Sequence, residues 1–259
     1  MNNLKNILKK ILVKTRIIDS FDIDGVSYKI VEQKSIIPRF KNQRSINFSV
    51  DGRDYTHSAI YMNPKEIFQP IFLHLQKVLE LWSRSNEIGS ALVLGCAGCS
   101  IPRFLAFSHP NIKITGVDLS KKFIEISHKY FLLNQIEKQF TLTEGDAIKF
   151  VKDKTVQSQD LIYVDIFAGN AAIKEVFSNE FLSCTYDIAS ENSLVIINAF
   201  GMNGKSLKEI CENMNAPFQK KHLIKSGGSY YLCLIKNDRK SLEKFEKDIM
   251  NCENFSVVF

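Results

Sequence analysis

The stretch Ala91–Asp118, ALVLGCAGCSIPRFLAFSHPNIKITGVD, restricts what this chain can fold into more than any other. Ala91–Leu94 is a short apolar run suited to a buried strand, and Gly95–Cys99 is a turn made only of small residues. Ser100 is placed to cap a helix that carries Pro102 in its first turn. Ile112–Val117 is a second apolar run, closed by Asp118. This is the first half of a nucleotide-binding βαβ unit: the turn lets a ligand touch backbone, and the acid about 20 residues on accepts from ribose hydroxyls. The turn holds Gly95 and Gly98 with Ala97 between them. It is neither the G-x-G-x-x-G of a dinucleotide site nor the G-K-[ST] of a phosphate loop. A nucleoside without phosphates, such as S-adenosylmethionine, tolerates Ala and Cys at those positions.

The rest of the 259-residue chain extends the pattern. Residues 1–18 read as an amphipathic helix, with Leu4, Ile7, Leu8, Ile11 and Leu12 at helical spacing among lysines. Residues 19–62 read as a small antiparallel β domain, with turns at Asp24-Gly25 and Asp51-Gly52. Residues 63–259 read as the nucleoside-binding domain. Asn63-Pro64-Lys65-Glu66 opens a helix running to about Trp82. Beyond Asp118, helices alternate with strands at Phe140–Thr143, Asp160–Val164 and Leu194–Ala199. Phe218–Ile224 and Ser229–Ile235 form a closing hairpin. The expected fold is α/β, a Rossmann-like, mostly parallel sheet with an antiparallel edge.

Composition excludes several classes. No run of 18 apolar residues exists, so no integral membrane association is expected. Six scattered cysteines and no signal-peptide core fit a reducing cytoplasm. The five histidines fall at no metal-ligand spacing, and Cys96-x-x-Cys99 lacks a second pair, so no metal is expected. A net charge of +6 with no basic, aromatic-rich patch argues against nucleic acid as a partner.

Ligands of doubly wound sheets bind beyond the carboxyl ends of the strands. The turn Gly95, Cys96, Ala97, Gly98 and the acids Asp118, Asp146 and Asp165 fall there, with Leu119 beside Asp118. Asp118 is expected to take the ribose hydroxyls and Asp146 the adenine amine. Asp165 is expected to face the sulfonium, where it can hold an incoming amine or take its proton. Phe167 is placed to pack on the adenine. Tyr55 and Tyr61 are candidates for the acceptor pocket, and His57 for acid–base work.

The runs LVLGCAGCSIPRFL, ITGVDLSKKFIEISHKYF, EGDA at 144–147 and YVDIFAGN at 163–170 resemble the spermidine synthase superfamily, the polyamine aminopropyltransferases and their relatives. That resemblance covers roughly residues 25–235. It implies a class I methyltransferase fold behind a small N-terminal β domain, a nucleoside held by the turn, Asp118, Asp146 and Ala147, Asp165 at the catalytic position, and a homodimer. Three acids of the family pattern are replaced. The turn acid that pairs with the donor's amine is Gly98, the second acid of D-x-x-D is Ala168, and the Tyr-His-Glu segment reads Tyr61-Met62-Asn63. A polyamine site needs carboxylates. The expectation is therefore a transferase using intact S-adenosylmethionine, a methyltransferase on a small-molecule acceptor, with Arg103 a candidate partner for the donor's carboxylate. Aminopropyl transfer from decarboxylated S-adenosylmethionine, and nucleoside binding without turnover in a scaffold protein, are the alternatives.

Overall fold

Two Asp-Gly dipeptides set the first sheet. Asp24, Gly25, Asp51 and Gly52 all have positive φ, between 50° and 78°, the turn that matches the right-handed twist of hairpin strands. The computed structural model describes residues 13–35, 41–63, 65–153, 156, 158–168, 171–226, 228–236, 239–252 and 255–258. Strands β1 (Val13–Ile23), β2 (Val26–Ser35), β3 (Gln43–Val50) and β4 (Arg53–Tyr61) form an antiparallel sheet in that order. The helix expected over residues 1–18 lies mostly outside the described residues. Its described part, from Val13 on, is strand, in keeping with the β-branched Val13, Thr15, Ile17 and Ile18.

The helix expected from Pro64 also differs, and Pro64 itself lies outside the described residues. Helix α1 spans Leu73–Ser83, and Phe72 before it is left-handed at φ 60°. Pro70 cannot sit inside a helix, since it lacks an N–H and its ring clashes with the preceding turn. Two buried glutamines hold the irregular segment instead: Gln76 Oε1 accepts from Gln69 N–H at 2.8 Å, and Gln76 Nε2 donates to Ile71 O at 2.6 Å.

The main sheet alternates with helices. Its elements are β5 (Ser90–Leu94), α2 (Ser100–Ser108), β6 (Lys113–Asp118), α3 (Lys121–Tyr130), β7 (Phe140–Glu144), α4 (Ala147–Phe150) and β8 (Gln159–Val164). A short hairpin, β9 (Phe167–Ala168) and β10 (Ala171–Ala172), follows. Then come α5 (Asn179–Asp187), β11 (Ala189–Asn198), α6 (Gly204–Asn213), β12 (Lys220–Ser226), β13 (Ser229–Lys236), α7 (Arg239–Met250) and β14 (Ser256–Val257). The order is β14-β12-β13-β11-β8-β5-β6-β7. Strands β11, β8, β5, β6 and β7 pair in parallel, and the edge beyond β11 is antiparallel.

The chain runs outward from β5 to β7 and then returns to β8 on the other side of β5. The crevice between β5 and β8 is thus the topological switch point, where such sheets bind ligands. Apolar side chains fill both faces, Val93, Leu161 and Ile196 on one, Leu92, Ile162 and Val195 on the other. A third cluster joins the sheets: Phe21, Ile30, Ile46 and Ile60 pack on Phe123, Ile126 and Phe131 around α3. No helix among the described residues is long and apolar enough to cross a membrane.

Candidate active site

The turn after β5 is held by the protein itself. Asp118 Oδ2 accepts from the N–H groups of Cys96 and Ala97, both at 2.9 Å, and Oδ1 accepts from Ser120 N–H at 2.9 Å. An ionised carboxylate has about four lone-pair sites, so roughly one is left for a ligand. Asp118 thus braces the turn and keeps about one acceptor site beside it. The two glycines also answer to protein neighbours. A Cβ on Gly95, whose φ is +84°, would lie 2.2 Å from Asp165 O. One on Gly98 would lie 2.7 Å from Ser58 Oγ and 2.8 Å from the Phe131 ring. Ser100 does not cap α2, whose N-cap is the left-handed Cys99 with no side-chain cap. Its hydroxyl donates to Ala59 O at 2.8 Å and accepts from Ala59 N–H at 3.1 Å, joining α2 to β4.

Asp165 follows β8 and is positioned from three sides. Its N–H donates to Leu94 O at 2.8 Å, its carbonyl abuts Gly95, and Asn198 Nδ2 at the end of β11 donates to its Oδ1 at 2.8 Å. Burial raises its carboxyl to about 7, against the pull of the Asn198 hydrogen bond. It faces a cavity of about 250 Å³ whose aromatic walls are Phe48, Tyr55, Phe72, Phe167, Phe200 and Tyr231. Among the described residues, Asp165 is the one acid lining it. Burial, reinforced by the Asp165 charge, pushes the Tyr231 phenol up to about 12, so it remains a hydroxyl donor.

His57 lines this cavity and also a smaller cleft of about 10 Å³ against the turn, which it shares with Ser58, Phe72 and Asp165. Burial lowers its pKa, so the ring is neutral, and its Nδ1 has no hydrogen-bond partner among the described residues. It lies 4.9 Å from the Phe123 ring, centroid to centroid.

The remaining predicted residues scatter. Asp146 caps α4, its Oδ1 accepting from Ile148 N–H at 2.9 Å, with Ala147 buried behind it. Leu119 is 75% exposed beside Asp118. Phe167 belongs to the cavity wall, edge-on to Phe200 at 6.5 Å. Tyr61 does not line the cavity; it sits under Lys41, whose Nζ is 4.9 Å from its ring. Arg103 is turned away from the turn, its Nη2 donating to Gln135 Oε1 at 2.7 Å and its guanidinium 4.6 Å from the Phe107 ring. Cys96 and Cys99 are buried free thiols, and burial holds the Cys96 thiol well above its usual pKa. Asn198, Tyr231 and Phe200 were missed from the sequence. The carboxyl-end rule applied to β11 would have found Asn198 and Phe200, whereas Tyr231 comes from an antiparallel strand that the rule does not cover.

Fold and site together define a class I methyltransferase-like α/β chain with a small-residue turn and the acids Asp118 and Asp165 at its switch point. The chain belongs to the spermine/spermidine synthase family, whose domain matches residues 89–226. Over 185 residues it is 26% identical to a polyamine aminopropyltransferase of Vibrio vulnificus (strain CMCP6), covering 68% of this chain and 60% of that protein's length. A probable spermidine synthase from Corynebacterium glutamicum ATCC 13032 superposes with a TM-score of 0.69 at 14% identity, over 93% of this chain and 90% of that one. A spermidine synthase in complex with the transition-state analogue AdoDATO gives 0.58 at 15% identity, over 92% and 79%. Human methyltransferase-like protein 13 in complex with SAH gives 0.55 at 14%, over 72% and 95%. At such identities the structural likenesses speak for the fold alone.

Proposed function

We propose that the chain transfers an alkyl group from an adenosyl sulfonium to an amine, and that the group is the aminopropyl arm of decarboxylated S-adenosylmethionine. The observation that carries this is Asp165, a half-buried carboxylate with a pKa raised to about 7, held by Asn198 on the wall of a largely aromatic cavity. It accepts a hydrogen bond from the acceptor nitrogen, aligns its lone pair, and takes its proton as the N–C bond forms. The C–S bond breaks with its electron pair on sulfur, which leaves as a neutral thioether.

The donor assignment turns from the intact S-adenosylmethionine expected from the sequence. A donor carboxylate loses its expected cation, since Arg103 is engaged with Gln135 and the Phe107 ring. The decarboxylated donor lacks that group, and the Vibrio vulnificus relative is named an aminopropyltransferase. Methyl transfer from the intact donor is the second reading. Gly98 favours it, since Ser58 and Phe131 occupy the space from which an acid for the donor's ammonium would project.

Calorimetric titration with both donors, followed by mass spectrometry of an amine incubated with each, separates the two. The decarboxylated donor is expected to bind at least about tenfold more tightly, and the acceptor to gain an aminopropyl group. A tighter intact donor with a methylated product would establish the second reading; binding with no transfer to any amine would leave a scaffold. Asp165→Asn is expected to slow transfer by about 10²–10⁴-fold with donor affinity preserved.

A further inference from the structure

We infer that the acceptor is a small monoamine on an apolar, ring-bearing body and not a linear diamine, an assignment that rests on the transfer reading above in giving the cavity over Asp165 to the acceptor. Six aromatic residues enclose that cavity: Phe48 and Tyr55 from the first sheet, Tyr231 from β13, and Phe72, Phe167 and Phe200 from the segment before α1, the β9 hairpin and the end of β11. Phe48 and Tyr55 of the first sheet stack at 5.4 Å and 24°, while Phe167 of β9 and Phe200 beyond β11 meet edge to face. Aromatic pairs of this kind present ring faces and edges suited to another ring. At about 250 Å³ the space lies below the roughly 300–1,000 Å³ of pockets for drug-sized ligands, so the body is small.

Charge decides against a diamine. The one carboxylate on the cavity wall serves one ammonium, and a second at the far end of a linear chain needs a partner of its own. Nothing acidic supplies it among the described residues. Ala168 is exposed on β9 and carries no charge, Asp118 braces the turn, and Asp146 caps α4. The wall's other ionisable side chains are histidines and tyrosines, His57, His74, Tyr55 and Tyr231, with no second carboxylate among the described residues. Ring faces attract a cation less than burial without a counter-ion disfavours it.

The test titrates the full chain, saturated with methylthioadenosine, with phenethylamine and with putrescine. Phenethylamine is expected to bind at least about tenfold more tightly, and Asp165→Asn to remove most of its affinity. Leu73→Glu places a carboxylate on the cavity rim, where Leu73 is half exposed. It is expected to raise putrescine affinity about tenfold and leave phenethylamine unmoved. Putrescine binding as tightly as phenethylamine to the wild type, no binding of either amine, or a Leu73→Glu variant without a putrescine gain would overturn the assignment. Putrescine turnover with weak phenethylamine binding defeats the assignment while the transfer reading stands. Tight phenethylamine binding with no transfer from either donor defeats the transfer reading alone.

Discussion

On the proposed mechanism, Asp165 couples chemistry to stability through one proton. Its folded pKa of about 7 lies above the ordinary 3.8. Between those values the folded chain holds a proton that the unfolded chain has released, so this residue makes stability fall as pH rises from about 4 to about 7, with the loss complete above that. Three units correspond to at most about 4 kcal/mol, less where cavity water reaches the carboxylate. Asp165→Asn, which keeps an oxygen for Asn198 to bond, is therefore expected to be more stable than wild type by about 1–3 kcal/mol at pH 8, with the difference vanishing near pH 4. Urea melts at the two pH values check this. The ionised form that weakens the fold is the one that takes the acceptor's proton, so the wild-type transfer rate should climb through pH 7 and the variant's residual rate should lack that limb.

At the scale of elements, the turn after β5 behaves as a braced unit. Asp118→Ala would strand three backbone N–H groups, two of them in the turn itself, and is expected to cost about 2–4 kcal/mol in chemical denaturation. The strand–turn–helix–strand order was legible because burial period and small residues are local signals. The duties of the turn residues were not, because their partners are remote in sequence. Ser100 bonds Ala59 at 41 positions' distance, and Gly98 is bare for the sake of Ser58 and Phe131. The same holds for Tyr61, whose place before the nucleotide domain suggested the pocket but whose ring stays outside it. Helix α1 began later than its cap-like Asn63 implied, because Pro70 forbids the continuation and buried Gln69 and Gln76 stabilise an irregular path. The second acid of the family's pair could be read as absent directly from Ala168.

Over the whole molecule, the two sheets meet along a seam that also closes the cavity. Ser100 ties α2 to β4, and Arg44 of β3 donates to Tyr130 O at 2.7 Å and to Glu32 at 2.5 Å. Ser100→Ala leaves Ala59 N–H unpaired and is expected to cost about 1–3 kcal/mol. Faster hydrogen exchange at β4 and a raised KM for the amine should accompany it, since β4 and the strand beside it supply His57, Tyr55 and Phe48. One further consequence follows from the 2.2 Å that separates a Gly95 side chain from the backbone of Asp165. Any substitution that enlarges this position must shift the backbone of Asp165, so on the proposed mechanism donor preference and acceptor chemistry cannot drift separately through the turn. On the proposed mechanism, laboratory evolution of a new donor has its free positions at the exposed Leu119 and around Asp146, where a change leaves Asp165 where it stands.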